Sequence, residues 1–365
     1  MTLRIFSDPA WGSAEAQVCP LLVPWEAEFT RAPRFSQDPY AQSGRNYFVR
    51  AGLAECDLVI CPRTWRNEGD NDLVQRLAVE AKAAGKPLVV FCESDLEAPF
   101  PIPRVLVFRG SLRRSVRLPN ELAAPAFFPD RLALPPASPL AGPRAKAEPP
   151  VVGFCGYIDT AADLRLPIQR VVSRALSWGI LSRPKLERWL RRCGIRLTRS
   201  EGKRTRYQAL GVVLRSGQLT RNIKLREHFM HGTLLQPKTA QHEYWQRAFE
   251  EFRDNILGSD YTLCPRGGGN WSYRFYETLC LGRVPVFINT DCVLPLEGQI
   301  NWREYCVWVE GDEIERTAEA ILAHYRSHTA ESFAELQRRC RQLWLEHLSL
   351  DGFFRNFHRQ PLRLG

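Results

Sequence analysis

Between Pro135 and Pro150 the chain reads PPASPLAGPRAKAEPP, six prolines in sixteen residues with no hydrophobic period. Proline removes a backbone donor and fixes φ, so neither a helix nor a central strand can run through this stretch. A chain of 365 residues is longer than one hydrophobic core comfortably organises, and this is where it divides. The sequence therefore predicts a first domain over 1–135, a linker over 136–150 and a second domain over 151–345. A tail over 346–365 follows, and its aromatic run DGFFRNFH can pack back on the first domain.

On both sides of the linker, short apolar runs alternate with helical patterns. LRIFS, CDLVICP, KPLVVFCE and RVLVFRG read as strands, and DLVQRLAVEAKAAG has helical spacing and a closing glycine. After the linker come VVGFCGYI, YTLCP and VPVFIN as strands, with helices over SYRFYETLCLG, TAEAILAHY and FAELQRRCRQLWLEHL. Strand, helix and strand in succession predict parallel sheets, so the fold class is α/β, with two Rossmann-like domains facing a central cleft. Ligands in such sheets sit beyond the carboxyl ends of the strands.

Charge is unevenly placed. The net charge is +10, yet residues 183–226 alone hold fourteen Lys or Arg against Glu187 and Glu201, a local balance of +12. Such a tract draws a phosphate-bearing ligand, an acidic glycan or an anionic membrane. It has little aromatic interleaving and no nucleic-acid motif, so a nucleic-acid partner is not expected, although a basic nucleic-acid or anionic-surface binder is the competing class. The eleven cysteines show no CxxC and lie in apolar runs, as reduced core residues of a cytoplasmic protein do. No run of membrane-spanning length and no signal peptide are visible.

Chemistry concentrates in LCPRGGGNWSYRFYE, residues 263–277. A strand stops at Pro265, three glycines follow Arg266, and a helix starts near Asn270 or Ser272. Helix-terminal N–H groups and a nearby guanidinium suit an anion. The loop lacks the endings of a P-loop and of a GxGxxG turn, so spacing alone gives an anion site at a strand-to-helix turn. Asp70 and Asp72 form a DxD, but one directly before a helix, where a cap accounts for them. His228 and His231 have no third partner in sight for a metal.

The wider segment 263–310 resembles the exostosin-like glycosyltransferases. Arg266, Ser272, Arg274, Glu277, Gly282, Pro285, Asp291, Leu294, Pro295 and Trp302 follow the family's order of elements. Two positions depart from it: Arg283, where the family often has cysteine, and Leu296, where it has an aromatic. The resemblance implies a GT-B fold and an inverting transferase using a nucleotide-sugar donor, UDP by analogy, with no cofactor and no metal. It places the donor against Arg266, Gly267, Gly268, Gly269, Ser272 and Arg274, with Glu277 on the ribose. Such a Glu277 should tolerate replacement by Ala without loss of folding. Arg215, Arg221 and Lys224 of the basic tract are further donor-site candidates. The general base would come from the first domain: Asp8 at the end of strand one, then Glu26 and Glu28 of PWEAEF. The acceptor would be a glycan, acidic or lipid-linked, in bacterial surface polysaccharide synthesis. The enzyme would work in the cytoplasm, with the basic tract touching the inner face of the membrane. A relative that binds nucleotide sugar without transferring it would present the same donor wall.

Overall fold

The computed structural model describes residues 2–12, 17–30, 34–158, 201–226 and 238–362. His228, His231 and the basic residues of 183–200 lie outside them. Eleven strands are present among the described residues, in two sheets that are parallel throughout.

The first sheet has the order β2-β1-β3-β4-β5-β6, built from β1 (Leu3–Phe6), β2 (Phe48–Arg50), β3 (Leu58–Ile60), β4 (Leu88–Cys92), β5 (Leu106–Arg109) and β6 (Glu121–Ala123). The second runs β11-β10-β9-β7-β8, from β7 (Val151–Tyr157), β8 (Thr220–Arg226), β9 (Tyr261–Cys264), β10 (Val284–Asn289) and β11 (Val307–Glu310). Counted within its own domain each order begins 2-1-3-4-5, so the direction of winding reverses between the first and third strands. That switch point is where a doubly wound sheet opens a crevice. In the second domain it lies between β7 and β9, beneath the glycine loop. This two-sheet α/β architecture is the one a GT-B fold requires.

Apolar runs buried on both faces, such as LVVFC of β4 with all five residues buried, were visible as strands in the sequence because parallel strands covered by helices lose their alternation. β8 was not visible. It reads TRNIKLR and is largely exposed along the sheet edge, where charged side chains discourage further pairing.

The 136–150 segment is a strap rather than a free hinge. Arg283, only 1% exposed, donates to the carbonyls of Leu140 (3.2 Å), Gly142 (2.9 Å) and Leu257 (2.8 Å). Arg253 reaches Pro136 O at 2.6 Å, and Arg144 pairs with Asp260 at 3.0 Å. A proline-rich segment has carbonyls to spare and few donors, so buried guanidinium groups are suited to hold it. The position where this chain departs from the exostosin pattern, Arg283, is therefore the strap's main anchor.

Past residue 343 the chain crosses back. Phe353, Phe354 and Phe357 are buried with Tyr40, Phe48, Phe91, Phe108 and Phe127 in the first domain's core. The Tyr40–Phe354 rings stack at 4.8 Å, and Phe108–Phe357 meet at 5.0 Å. The ten described cysteines are all buried and unbridged, as small apolar residues are. No described helix is long and apolar enough to cross a membrane.

Candidate active site

The glycine loop leaves β9 and meets the facing domain directly. A Cβ on Gly268 would lie 2.4 Å from a carboxylate oxygen of Asp95, and one on Gly269 would lie 2.6 Å from Ser111 Oγ. Gly267 O leaves no room for a side chain at Gly202. Gly268 and Gly269 thus let backbone approach the other lobe, where the sequence reading had backbone approaching a ligand. Asn270, wholly buried, completes the contact: its N–H donates to Ser111 Oγ (2.9 Å) and its amide to Leu112 O (3.0 Å).

Arg266 does face anions, but they are the chain's own. It is 3% exposed and pairs with Glu201 at 2.9 Å and, more closely, with Glu97. Arg113 of the first domain binds the same two carboxylates. Arg109 positions this acidic segment by donating to Ala98 O at 2.9 Å and to Leu96 O while paired with the buried Glu121 at 2.7 Å. Arg266 thus joins the two lobes through Glu97 and Glu201, while its Nε stays buried without a hydrogen-bond partner.

A cationic surface lies one strand away, at the carboxyl end of β7. Arg274, on the second residue of the helix Tyr273–Cys280, donates to Cys155 O (2.8 Å) and lies 4.2 Å over the Phe154 ring. Gly156 makes this possible, since a Cβ there would come within 2.6 Å of Arg274 Nη2. Arg206, from the helix Glu201–Arg215, donates to Tyr157 O at 2.9 Å. Arg226, the last residue of β8, lies in register with Tyr157 and pairs with Glu251 at 2.7 Å. The Nε atoms of Arg206, Arg226 and Arg274 are all buried without a hydrogen-bond partner. Burial, with the charge of Arg274 beside it, lowers Arg206 to about 10. Burial also lowers Arg274, and Arg226 adds to the effect. Like charges packed together at the switch point of a parallel sheet cost stability, which makes this cluster the candidate anion site. Arg63, Arg109, Arg131 and Arg266 also bury an Nε without a partner.

Arg206 escaped the sequence reading because nothing local separates it from the thirteen other cations of its tract. Its only signal is Gly156, the glycine of VVGFCGYI that keeps the strand end open. Of the cations chosen from that tract, Lys224 shares Glu251 with Arg226, and Arg215 and Arg221 lie elsewhere. Arg215 pairs with Glu315 at the surface (3.0 Å), Lys224 pairs with Glu251 (3.2 Å), and Arg221 is exposed on the edge strand. Ser272 is the helix N-cap by backbone conformation, without a side-chain cap bond.

Glu277 sits on the same helix, 9% exposed, and its Oε1 accepts from Arg131 at 3.2 Å. Burial raises its carboxyl, with Arg131 and Arg274 opposing. Arg131 is itself held over Phe128 (5.0 Å) and Phe249 (5.1 Å). The expectation that Glu277→Ala leaves folding untouched is corrected, since the change would strip a part-buried guanidinium of its carboxylate.

The three carboxylates proposed as bases have other occupations. Asp8 caps the 3-10 turn Pro9–Trp11, accepting from Ala10 N at 2.9 Å. Glu26 is buried and accepts from the N–H groups of Arg34 (2.9 Å) and Phe35 (3.3 Å). Glu28 pairs with Arg50 on the outside. Asp70 stands at the N-cap position of the helix Asn71–Ala83 without a side-chain cap bond, and its carboxylate accepts instead from Arg66 N at 2.9 Å. Glu93, just past β4, is a further first-domain carboxylate that reaches the facing lobe, besides Asp95 and Glu97. It accepts from Tyr273 OH (2.6 Å) and Gln17 (2.7 Å), with Arg34 at 3.4 Å. Burial alone would raise it, yet Tyr273, Arg34 and Gln17 together hold it below the ordinary carboxylate range. Trp271 and Tyr273, 4.8 Å apart, form an aromatic wall beside it.

Residues 200–324, within the second domain, match the exostosin GT47 domain. The chain is 32% identical over 94 residues to Exostosin-1 of Drosophila melanogaster, covering 26% of this chain and 12% of that one. Probable glucuronosyltransferase GUT1 of Oryza sativa subsp. japonica is 41% identical over 65 residues, 18% of this chain and 16% of its own. A probable glucuronoxylan glucuronosyltransferase of Arabidopsis thaliana is 34% identical over 76 residues, 21% and 16% respectively. These matches span less than a fifth of each relative's length, and the first domain is outside the GT47 match.

Proposed function

We propose that the chain is an inverting, metal-independent glycosyltransferase that moves a sugar from a nucleoside diphosphate, UDP, to a glycan acceptor. The observation that carries this reading is the trio of guanidinium groups, Arg206, Arg226 and Arg274, with orphaned Nε atoms at the carboxyl end of β7. A diphosphate placed there receives charge-assisted hydrogen bonds as its leaving-group charge grows, so guanidinium groups supply the stabilisation that a metal gives elsewhere. Glu277, held by Arg131 through one oxygen, offers the other to the ribose hydroxyls.

The acceptor hydroxyl would attack the anomeric carbon as the bond to the diphosphate breaks. The bonding pair leaves on the diphosphate oxygen, and the hydroxyl proton passes to a carboxylate. We assign that proton to Glu93, which is ionised and lies at the lobe interface, ahead of Asp8. The relatives' names make a UDP-uronate a natural member of the donor panel, and bacterial surface polysaccharide synthesis at the cytoplasmic face of the membrane is the setting we propose. The test is turnover and donor hydrolysis with a panel of UDP-sugars, alongside calorimetric binding of UDP. Turnover that Arg274→Ala abolishes supports the reading. An absence of UDP binding refutes it.

A further inference from the structure

On the flank of the lobe interface, away from the arginine trio, lies a cavity of about 450 Å³. Three stretches that are distant in sequence build it: the β5–β6 connection, the loop after β10, and the C-terminal tail. Arg114 and Arg117 both turn to one carboxylate, Glu297, Arg114 at 2.8 Å. Glu121 also borders the space, but its charge is neutralised by the buried Arg109. The lining therefore has one cation in excess.

Gln360 also lines it, 9% exposed, with its Nε2 buried and without a hydrogen-bond partner. Val293 and Leu296 supply apolar faces beside these polar groups. A space with a surplus guanidinium and apolar patches suits a ligand with a carboxylate and CH faces. Sugar acids have both.

We propose that this cavity is a second saccharide site, which takes a carboxylate-bearing stretch of glycan outside the reaction centre. Its sugar chemistry rests on the glycosyl-transfer reading, while its anion preference rests on the cavity alone. Because both lobes and the tail line it, an occupant bridges them and holds the acceptor chain along the cleft's edge.

The test is calorimetric titration of the full chain with tetragalacturonate, with maltotetraose as the neutral counterpart and UDP as an independent probe. The expected result is binding of tetragalacturonate in preference to maltotetraose. Arg117→Ala should weaken it by about tenfold or more, with UDP affinity unchanged. Arg114 is 56% exposed on its side chain, so Arg114→Ala provides a variant that keeps the fold should Arg117→Ala fail to. Equal binding of both saccharides, no binding of tetragalacturonate, or unchanged affinity in Arg114→Ala and Arg117→Ala would each overturn the proposal. Tetragalacturonate binding without UDP binding would retain this site and reject the transferase reading.

Discussion

Arg206→Met should make the protein more stable and a poorer binder of nucleotide. The guanidinium of Arg206 stands at about 10 because burial and Arg274 disfavour its charge. At about 1.4 kcal/mol for each tenfold change in proton affinity, the fold sacrifices about 3 kcal/mol to keep this cation charged. Methionine keeps the apolar stem and removes the charge, but loses the bond to Tyr157 O, worth about 1 kcal/mol. The net gain is about 2 kcal/mol. For a domain of this size, that raises the unfolding temperature by roughly 4–8 °C. UDP affinity should fall about tenfold to hundredfold, the share of one charge-assisted contact. Differential scanning calorimetry without ligand and titration with UDP measure both effects on the same sample. A lower unfolding temperature with UDP affinity intact would refute the reasoning, because Arg206 would then be a structural residue with no anion to meet.

Glu277→Gln should weaken UDP binding by about tenfold and leave pyrophosphate binding unchanged, which separates a ribose contact from a diphosphate one. Arg283→Ala removes the strap's anchor, so it should cost about 3–5 kcal/mol and expose 136–150 to limited proteolysis. Glu93→Gln should reduce turnover about hundredfold or more if Glu93 takes the proton. The same variant carries a stability signature. A carboxyl held below its unfolded value contributes stability above that unfolded value and loses it as pH falls through the folded one. Acid unfolding of the unaltered chain should therefore include a Glu93 component that the variant lacks.

The second domain was the more legible one. Its strands are apolar runs, and the 263–277 segment carries residue types whose order points to a known chemistry. The partners those residues meet were not legible. Arg266 finds Glu97 and Glu201, and the glycines find Asp95 and Ser111, all far away in sequence. Spacing specifies which groups share a helix face but says nothing of what a facing lobe brings. The first domain was harder for a related reason. Asp8, Glu26 and Glu28 sit at strand ends and turns, where carboxylates serve backbone N–H groups as readily as substrates. Glu93 is distinguished only by its contact with Tyr273, 180 residues away.

The tail's return to the first domain has a consequence for biosynthesis. Phe353, Phe354 and Phe357 complete a core whose other rings belong to residues 25–127, so the amino-terminal lobe cannot close until residues 353–357 have left the ribosome. The carboxyl-terminal lobe, by contrast, can assemble while its neighbour is still waiting. Once both are formed, the backbone passes between them twice among the described residues, and the line through those two crossings is the natural axis about which the lobes would swing.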